Sequence, residues 1–295
     1  MLIHGLGAQL TMWSRDRFCE PLADKGFQVI RYDVRDTGLS EAMTEFGDVD
    51  VLDLLARKAA GEDLPAGAYT VRDHSRDLFA LLDTLEIDAA HLVGFSMGGV
   101  IAQHCALLSP ERCQSLTLMA TTTHKPDLPQ IDPAVATVFM ESVEDWYDKE
   151  QIIEKALKIA SVLGGSKYKA EPDLARERIS DNFDRWHNPE ANHRLTAALI
   201  GEEDRSAALG TLDIPSFVIH GEDDRMVPVG NGVQLADAIP GARLHRVDGM
   251  GHMLTDDLAA ALIGPVARHL QRADGRHSVK QDGLPAKSRR QDVWP

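Results

Sequence analysis

Residues His91-Leu92-Val93 form a short apolar run that stops at Gly94, and a small-residue helical pattern begins at Gly99-Val100-Ile101-Ala102. Between them stands Gly94-Phe95-Ser96-Met97-Gly98, a spacing that leaves the backbone few options. In a G-x-S-x-G pentapeptide a strand turns sharply into a helix. The serine takes the strained position at the turn, and the flanking glycines leave room that a Cβ would fill. The helix then aims its N-terminal N–H groups, that of Met97 among them, at a place where a developing oxyanion can be stabilised. A glycine-rich turn holding a serine by chance has the same letters, so the surrounding chain must decide.

Short apolar runs recur along the chain at Met1-Leu2-Ile3, Phe27 to Tyr32, His91 to Gly94, Ser115 to Met119, Phe217 to His220 and Ala242 to Val247. Runs of this length and composition read as buried parallel strands. Val71, Leu78, Leu81, Leu82 and Leu85 recur at helical spacing between the second and third runs, which makes a βαβ crossover leading into the serine turn. The pattern predicts an α/β fold with a mostly parallel central sheet flanked by helices, formed by residues 1–124 and 206–271. Over 125–205 the strand signal gives way to charged helical sequence broken by Pro126, Pro129, Pro133, Pro172 and Pro189, which reads as an inserted helical lid. From 272 to 295 the chain is polar and basic, and a disordered tail is the simple reading.

Composition narrows the partners. Acidic side chains outnumber basic ones 46 to 31, for a formal net charge of −15. Such a surface repels nucleic acid and anionic membranes and points to a neutral or small organic substrate. Cys19, Cys105 and Cys113 are odd in number and lack metal-ligand spacing, so neither a disulfide framework nor a metal site is expected. No run has the length of a membrane span, and the first residues lack a basic segment followed by an apolar one. The expectation is a cytoplasmic protein; the sequence carries no signal for an oligomeric state.

A reacting serine needs a base to take its proton and a carboxylate to orient that base. Gly221-Glu222-Asp223-Asp224-Arg225-Met226-Val227-Pro228 follows the run Phe217 to His220, so it places carboxylates at a strand's C-terminal edge. Asp224 is the preferred acid, with Asp223 the nearest rival and Asp127 a more distant one. Asp248-Gly249-Met250-Gly251-His252 follows the next strand, and its glycines let the backbone bring His252 inward as the base. An isolated aspartate in a loop is more often a cap or turn residue, and His91, His220 and His245, on or beside strands, read as structural or surface groups. Only His252 combines a glycine-flanked loop with a position after the acid. His4-Gly5-Leu6-Gly7, after the first strand, offers a second oxyanion donor in the Leu6 N–H, with His4 itself structural. Phe95, Met140, Trp146, Trp186 and Met250 are the candidate pocket residues, weighed against the more frequent fate of such side chains, which is packing.

The order Ser96, Asp224, His252 resembles that of the α/β-hydrolase fold superfamily, in its esterase and lipase branch. The resemblance covers about residues 1 to 123 and 206 to 270. It rests on His4-Gly5, on Asp33-Val34-Arg35-Asp36-Thr37-Gly38-Leu39-Ser40, on Gly94 through Gly99, on Gly221 through Pro228 and on Gly249 through His252. The Arg31-to-Ser40 segment is similar to that of methylesterases acting on aromatic polyketides. The family usually places a β-hairpin before its His-Gly turn, whereas only Met1-Leu2-Ile3 precede His4 here. A charged amino terminus is costly to bury in a central strand, so further strands are expected upstream in the reading frame.

The resemblance implies hydrolysis of a carboxylic ester of a small organic substrate through an acyl-enzyme, with no metal or organic cofactor. A serine argues against the dehalogenase and epoxide hydrolase chemistry that the family runs from an aspartate. Perhydrolysis, thioester cleavage and C–C bond hydrolysis use the same triad and stay open, as does a catalytically silent ligand-binding protein with a misplaced oxyanion loop.

Overall fold

The computed structural model describes residues 1–280. In chain order the main elements are β1 (Leu2–Ile3), α1 (Glu20–Ala23), α2 (Val51–Ala59), α3 (Val71–Thr84), β2 (Ala90–Phe95), α4 (Met97–Leu108) and β3 (Cys113–Met119). Then come α5 (Pro133–Met140), α6 (Lys149–Leu163), α7 (Pro172–Arg185), α8 (Pro189–Ile200) and α9 (Ser206–Leu209). The chain closes with β4 (Ser216–Gly221), α10 (Gly230–Ala238), β5 (Arg243–Val247) and α11 (Asp256–Lys280). The strands pair in parallel in the order β1-β2-β3-β4-β5.

Alternation along each strand sends side chains to two separate cores. Ile3, Leu92, Leu116, Leu118 and Val218 join α3, α4 and α10 on one face. Leu2, Val93, Phe95, Met119, Phe217 and Ile219 join Trp13, Phe18, Leu22 and the apolar side of α11 on the other. Burial on both faces explains why the strands read as continuous apolar runs.

Two expectations change. Phe27 to Tyr32 forms no full strand: it makes one parallel bridge, Leu2 with Arg31, and the Leu2 N–H donates to the Ile30 carbonyl at 2.8 Å. A two-residue β1 gives that segment too short an edge for a longer ladder. The basic tail expected from 272 is helical as far as Lys280, because α11 continues through it; residues 281–295 lie outside the described region. Among the described residues no helix is long and apolar enough to cross a membrane. The Met1 amine, expected to be costly to bury, is buried: it donates to the His91 carbonyl at 2.8 Å, and desolvation pulls its pKa down to about 5, so it is neutral at pH 7.

The bridged segment lies outside β1, while β2 lies on its inner side. The chain therefore steps outward from β1 and returns past it to β2. Sheets of this kind bind ligands at such a reversal, outside the carboxyl ends of the strands.

Helices α5 to α8 sit between β3 and β4 and are tied to the sheet domain by buried charge. Arg194, on α8, donates to both Asp36 oxygens at 2.6 and 2.8 Å, and neither side chain is more than 1% exposed. The Tyr69 hydroxyl and the Met43 N–H donate to the same carboxylate. Arg185, at the end of α7, pairs with Asp33 at 2.6 Å, and Gln9 donates to the Asn182 and Trp186 carbonyls. At the neck of the insertion the Arg205 N–H donates to the Thr123 carbonyl, while its guanidinium reaches Glu202, Gln103 and the Thr122 carbonyl. The Asp33-to-Ser40 motif thus supplies two of the carboxylates that receive the insertion, both buried.

Removing one partner of a buried pair leaves an uncompensated charge, so Asp36→Ala is expected to lose about 3–5 kcal/mol in urea denaturation. Burial alone pushes the Asp36 carboxyl up, but Arg194, the Met43 N–H and Tyr69 outweigh it and hold it below its ordinary value. Its contribution is complete above the unfolded aspartate range and disappears as pH falls through the folded value. The stability gap between wild type and Asp36→Ala should accordingly narrow in acid.

Candidate active site

Three loops at the carboxyl ends of β2, β4 and β5 bring Ser96, Asp224 and His252 together. His252 Nε2 stands 3.0 Å from Ser96 Oγ, and His252 Nδ1 stands 2.7 Å from Asp224 Oδ2. A carboxylate accepts only, so Nδ1 carries the proton and Nε2 is left to accept from the serine hydroxyl. Asp224 is fixed from its other oxygen, which takes the Met226 and Val227 N–H groups at 3.0 and 2.8 Å. Phe95 covers one side of the imidazole, with ring centroids 5.3 Å apart.

Ser96 has φ 53° and ψ −116°, a conformation that costs an L-residue energy and persists only when its surroundings enforce it. They do so from several sides. The Ser96 N–H donates to the Met119 carbonyl at 2.8 Å, and the Thr121 hydroxyl donates to the Ser96 carbonyl at 2.8 Å. A Cβ on Gly94 would overlap the Gly98 carbonyl, and one on Gly98 would overlap the Ile3 carbonyl and stand 2.7 Å from that of His4. The glycines of the pentapeptide are therefore required for close backbone contact.

The loop after β1 crosses directly over the serine: a Cβ on Gly5 would lie 3.3 Å from Ser96 Cβ. His4 is fully buried and sets the plane of the next peptide. Its Nε2 accepts from the Val34 N–H at 3.2 Å, so Nδ1 carries the proton and donates to the Gly5 carbonyl at 2.9 Å. Burial lowers the pKa of His4 and keeps the ring neutral. In a trans peptide the Gly5 carbonyl and the Leu6 N–H point oppositely, so the Leu6 N–H faces away from His4. Among the described residues neither the Leu6 nor the Met97 N–H donates to another protein group.

The rivals resolve cleanly. Asp223 Oδ2 accepts from the Ser166 N–H and hydroxyl, and Asp224 takes His252 Nδ1 in place of Asp223 or Asp127. His220 lies behind the acid with Nε2 3.6 Å from Asp224 Oδ2, but that nitrogen donates to the Val227 carbonyl at 2.7 Å. Burial lowers its pKa and keeps it neutral beside the carboxylate. Its position four residues before Asp224 was a signal that a strand histidine would abut the acid, and the sequence reading missed it.

The candidate pocket residues divide. Trp186 is half-buried at the end of α7, its carbonyl tied to Gln9 just beyond the loop after β1. Trp146 is half-buried under Lys155, with its carbonyl accepting from His187. Phe95 touches His252 and is otherwise part of the core. Met250 is a correction: its side chain is fully buried in the core beneath the acid loop and has no open face for a substrate. Met140 stands 64% exposed at the end of α5.

Residues 1–257 match the family model of the alpha/beta hydrolase fold, and the chain belongs to that family. It is 31% identical over 254 residues to a 2-hydroxy-6-oxononadienedioate/2-hydroxy-6-oxononatrienedioate hydrolase of Burkholderia vietnamiensis, covering 85% of this chain and 80% of that one. It is 26% identical over 294 residues to rhodomycin D methylesterase DnrP of Streptomyces peucetius, covering 92% and 91%. A crystal structure of a hydrolase from Pseudomonas aeruginosa superposes with a TM-score of 0.65 at 25% identity, covering 91% of this chain and 88% of that one.

The Gly98 contact offers a direct check. Backbone carbonyls cannot step aside as side-chain ends can, so Gly98→Ala is expected to cost about 1–3 kcal/mol through overpacking, read as a lowered Tm in thermal unfolding.

Proposed function

We propose that this chain is a serine hydrolase that cleaves a carboxylic ester of a small organic substrate. The observation that carries the reading is the continuous line from Asp224 Oδ2 through the His252 ring to Ser96 Oγ, at 2.7 and 3.0 Å. His252 Nε2 takes the hydroxyl proton as Ser96 Oγ attacks the carbonyl carbon. The oxyanion is received by the Met97 N–H at the start of α4 and by the Leu6 N–H, whose peptide His4 orients. Loss of one such donor costs about 2.7–4 kcal/mol of transition-state stabilisation. As the tetrahedral intermediate collapses, His252 returns its proton to the departing alkoxide and an ester to Ser96 forms. Water then attacks that ester, giving a proton to His252, and as the second tetrahedral intermediate collapses His252 returns that proton to Ser96 Oγ and the acid is released. The inserted helices act as a lid over this site, with Trp186 and Trp146 among the side chains that select substrate.

The placement of Gly5 beside Ser96 supports an assembled oxyanion loop and weighs against a catalytically silent protein. A second reading has its own support: the Burkholderia relative is named for a dienedioate, whose cleavage breaks a carbon–carbon bond. The same triad can serve there, with a carbon leaving group protonated in place of an alkoxide.

A fluorophosphonate probe should label the wild-type protein at one serine, with labelling lost in Ser96→Ala and in His252→Ala; a folded protein that does not label would sink the enzyme reading. Asp224→Asn should lower kcat about ten-thousand-fold, by offering His252 the wrong hydrogen-bond partner. Turnover of p-nitrophenyl esters of graded acyl length, set against a 2-hydroxy-6-oxo-dienedioate, separates the two chemistries. The ester reading expects the higher kcat/KM on an ester, and the opposite ranking would favour the carbon–carbon reading.

A further inference from the structure

Between α6 and α7 the insertion sends a strap, Leu163 to Tyr168, across the loops that carry the acid and the base. The Leu163 carbonyl accepts from the backbone N–H of His252 itself, at 2.7 Å. The Lys167 and Tyr168 N–H groups both donate to the Gly249 carbonyl at 3.1 Å, and Ser166 binds Asp223 through its N–H at 2.7 Å and its hydroxyl. Contact is backbone against backbone. A Cβ on Gly165 would overlap the Gly249 carbonyl and stand 2.5 Å from the Gly251 nitrogen; one on Gly251 would overlap the Leu163 carbonyl; one on Gly249 would overlap Lys167. Just beyond, Arg178 on α7 holds Asp256 at the start of α11 with two bonds of 3.0 and 2.8 Å.

From these contacts we infer that the strap is a positioning element of the triad: the Leu163–Tyr168 backbone, admitted by Gly165, sets where His252 stands between Asp224 and Ser96. The inference rests on the serine-hydrolase reading above and deepens it. His252 hangs from a loop with two glycines that is held at Met250, whose carbonyl accepts from the Asp223 N–H at 3.0 Å, while the step from Gly251 to His252 keeps the freedom that glycine gives. The strap removes that freedom by occupying the His252 N–H and the Gly249 carbonyl together. It also joins the base loop to the acid loop through Asp223, fixing the spacing of the two groups that must share a proton. The insertion thus reaches the chemistry through the base as well as through substrate contacts, and a disturbance of the strap should slow catalysis without weakening binding.

Two neighbouring glycines give a matched test. Gly165 does not have a positive φ, so alanine there is free of backbone strain and acts only through its collision with the Gly249–Gly251 loop. At Gly164, with φ −61° and ψ 147°, the nearest atom to an added Cβ is the Ala160 carbonyl oxygen at an ordinary 3.4 Å. Displacement of a catalytic group by about 1 Å can cost on the order of a hundred-fold in rate. Gly165→Ala should therefore lower kcat and the fluorophosphonate labelling rate together by about ten- to a hundred-fold, leave KM within about two-fold, and still label to one equivalent per chain. Gly164→Ala should match wild type in each readout. In hydrogen exchange followed by NMR, the His252 amide should be protected in wild type and Gly164→Ala and exchange faster in Gly165→Ala. Wild-type labelling rates in Gly165→Ala, a change confined to KM, or a loss of labelled fraction at unchanged rate would each overturn the inference. Wild-type protein that fails to label would overturn the hydrolase reading and with it the catalytic role of the strap. The His252 amide reports separately on the contact itself, and an amide indifferent to Gly165→Ala would overturn the strap even in an active enzyme.

Discussion

Gly98 has room for a hydrogen and nothing more, because the Ile3 carbonyl occupies the space a Cβ would take. That contact lets the first turn of α4 press against the end of β1, and the geometry above the sheet follows from it. With α4 pulled in, the turn before it must be tight enough to hold Ser96 at φ 53°. The loop leaving β1 is then forced over the serine, where Gly5 meets Ser96 Cβ and His4 orients the peptide that ends in the Leu6 N–H. A strained residue persists only where its surroundings over-determine it, and here the Met119 carbonyl, Thr121 and three glycines do so together.

The same device recurs on the opposite side of the site. Gly165, Gly249 and Gly251 interlock the strap with the base loop as Gly98 interlocks the serine turn with β1. Between these two glycine contacts run the side-chain bonds from Asp224 to His252 to Ser96. Backbone contact fixes the endpoints and hydrogen bonds span the gap, an arrangement that keeps donors and acceptors preorganised before substrate arrives. The buried pairs Asp33–Arg185 and Asp36–Arg194 serve this at longer range, holding the inserted helices so that the strap stays in place.

Much of this was legible in the sequence because the motifs are local. The strand-to-helix switch around Ser96, the acidic turn after Phe217 to His220, and the glycine-flanked His252 each fit within about ten residues, and their chain order carried the fold. The rest depends on partners far apart. Arg194 lies 158 residues from Asp36 and Leu163 lies 89 residues from His252, separations at which neither periodicity nor composition leaves a trace. The glycines before His252 were legible as freedom, which holds for Gly249 at φ 71°; Gly251 is needed for close approach to a segment the sequence could not place beside it. Met250 misled because an apolar residue near a motif looks alike whether it faces solvent, core or substrate. The segment Phe27 to Tyr32 had the composition of a strand but too short a neighbour to pair with.

The central claim is that Ser96 becomes covalently acylated during turnover, and trapping that species tests it most directly. Rapid acid quench during hydrolysis of a chromogenic ester, followed by proteolysis and mass spectrometry, should find the acyl group's mass on the peptide containing Ser96. It should be absent from the Ser96→Ala protein. An enzyme that turns over the ester with no acylated peptide under pre-steady-state conditions, or with the acyl group on another residue, would contradict the account.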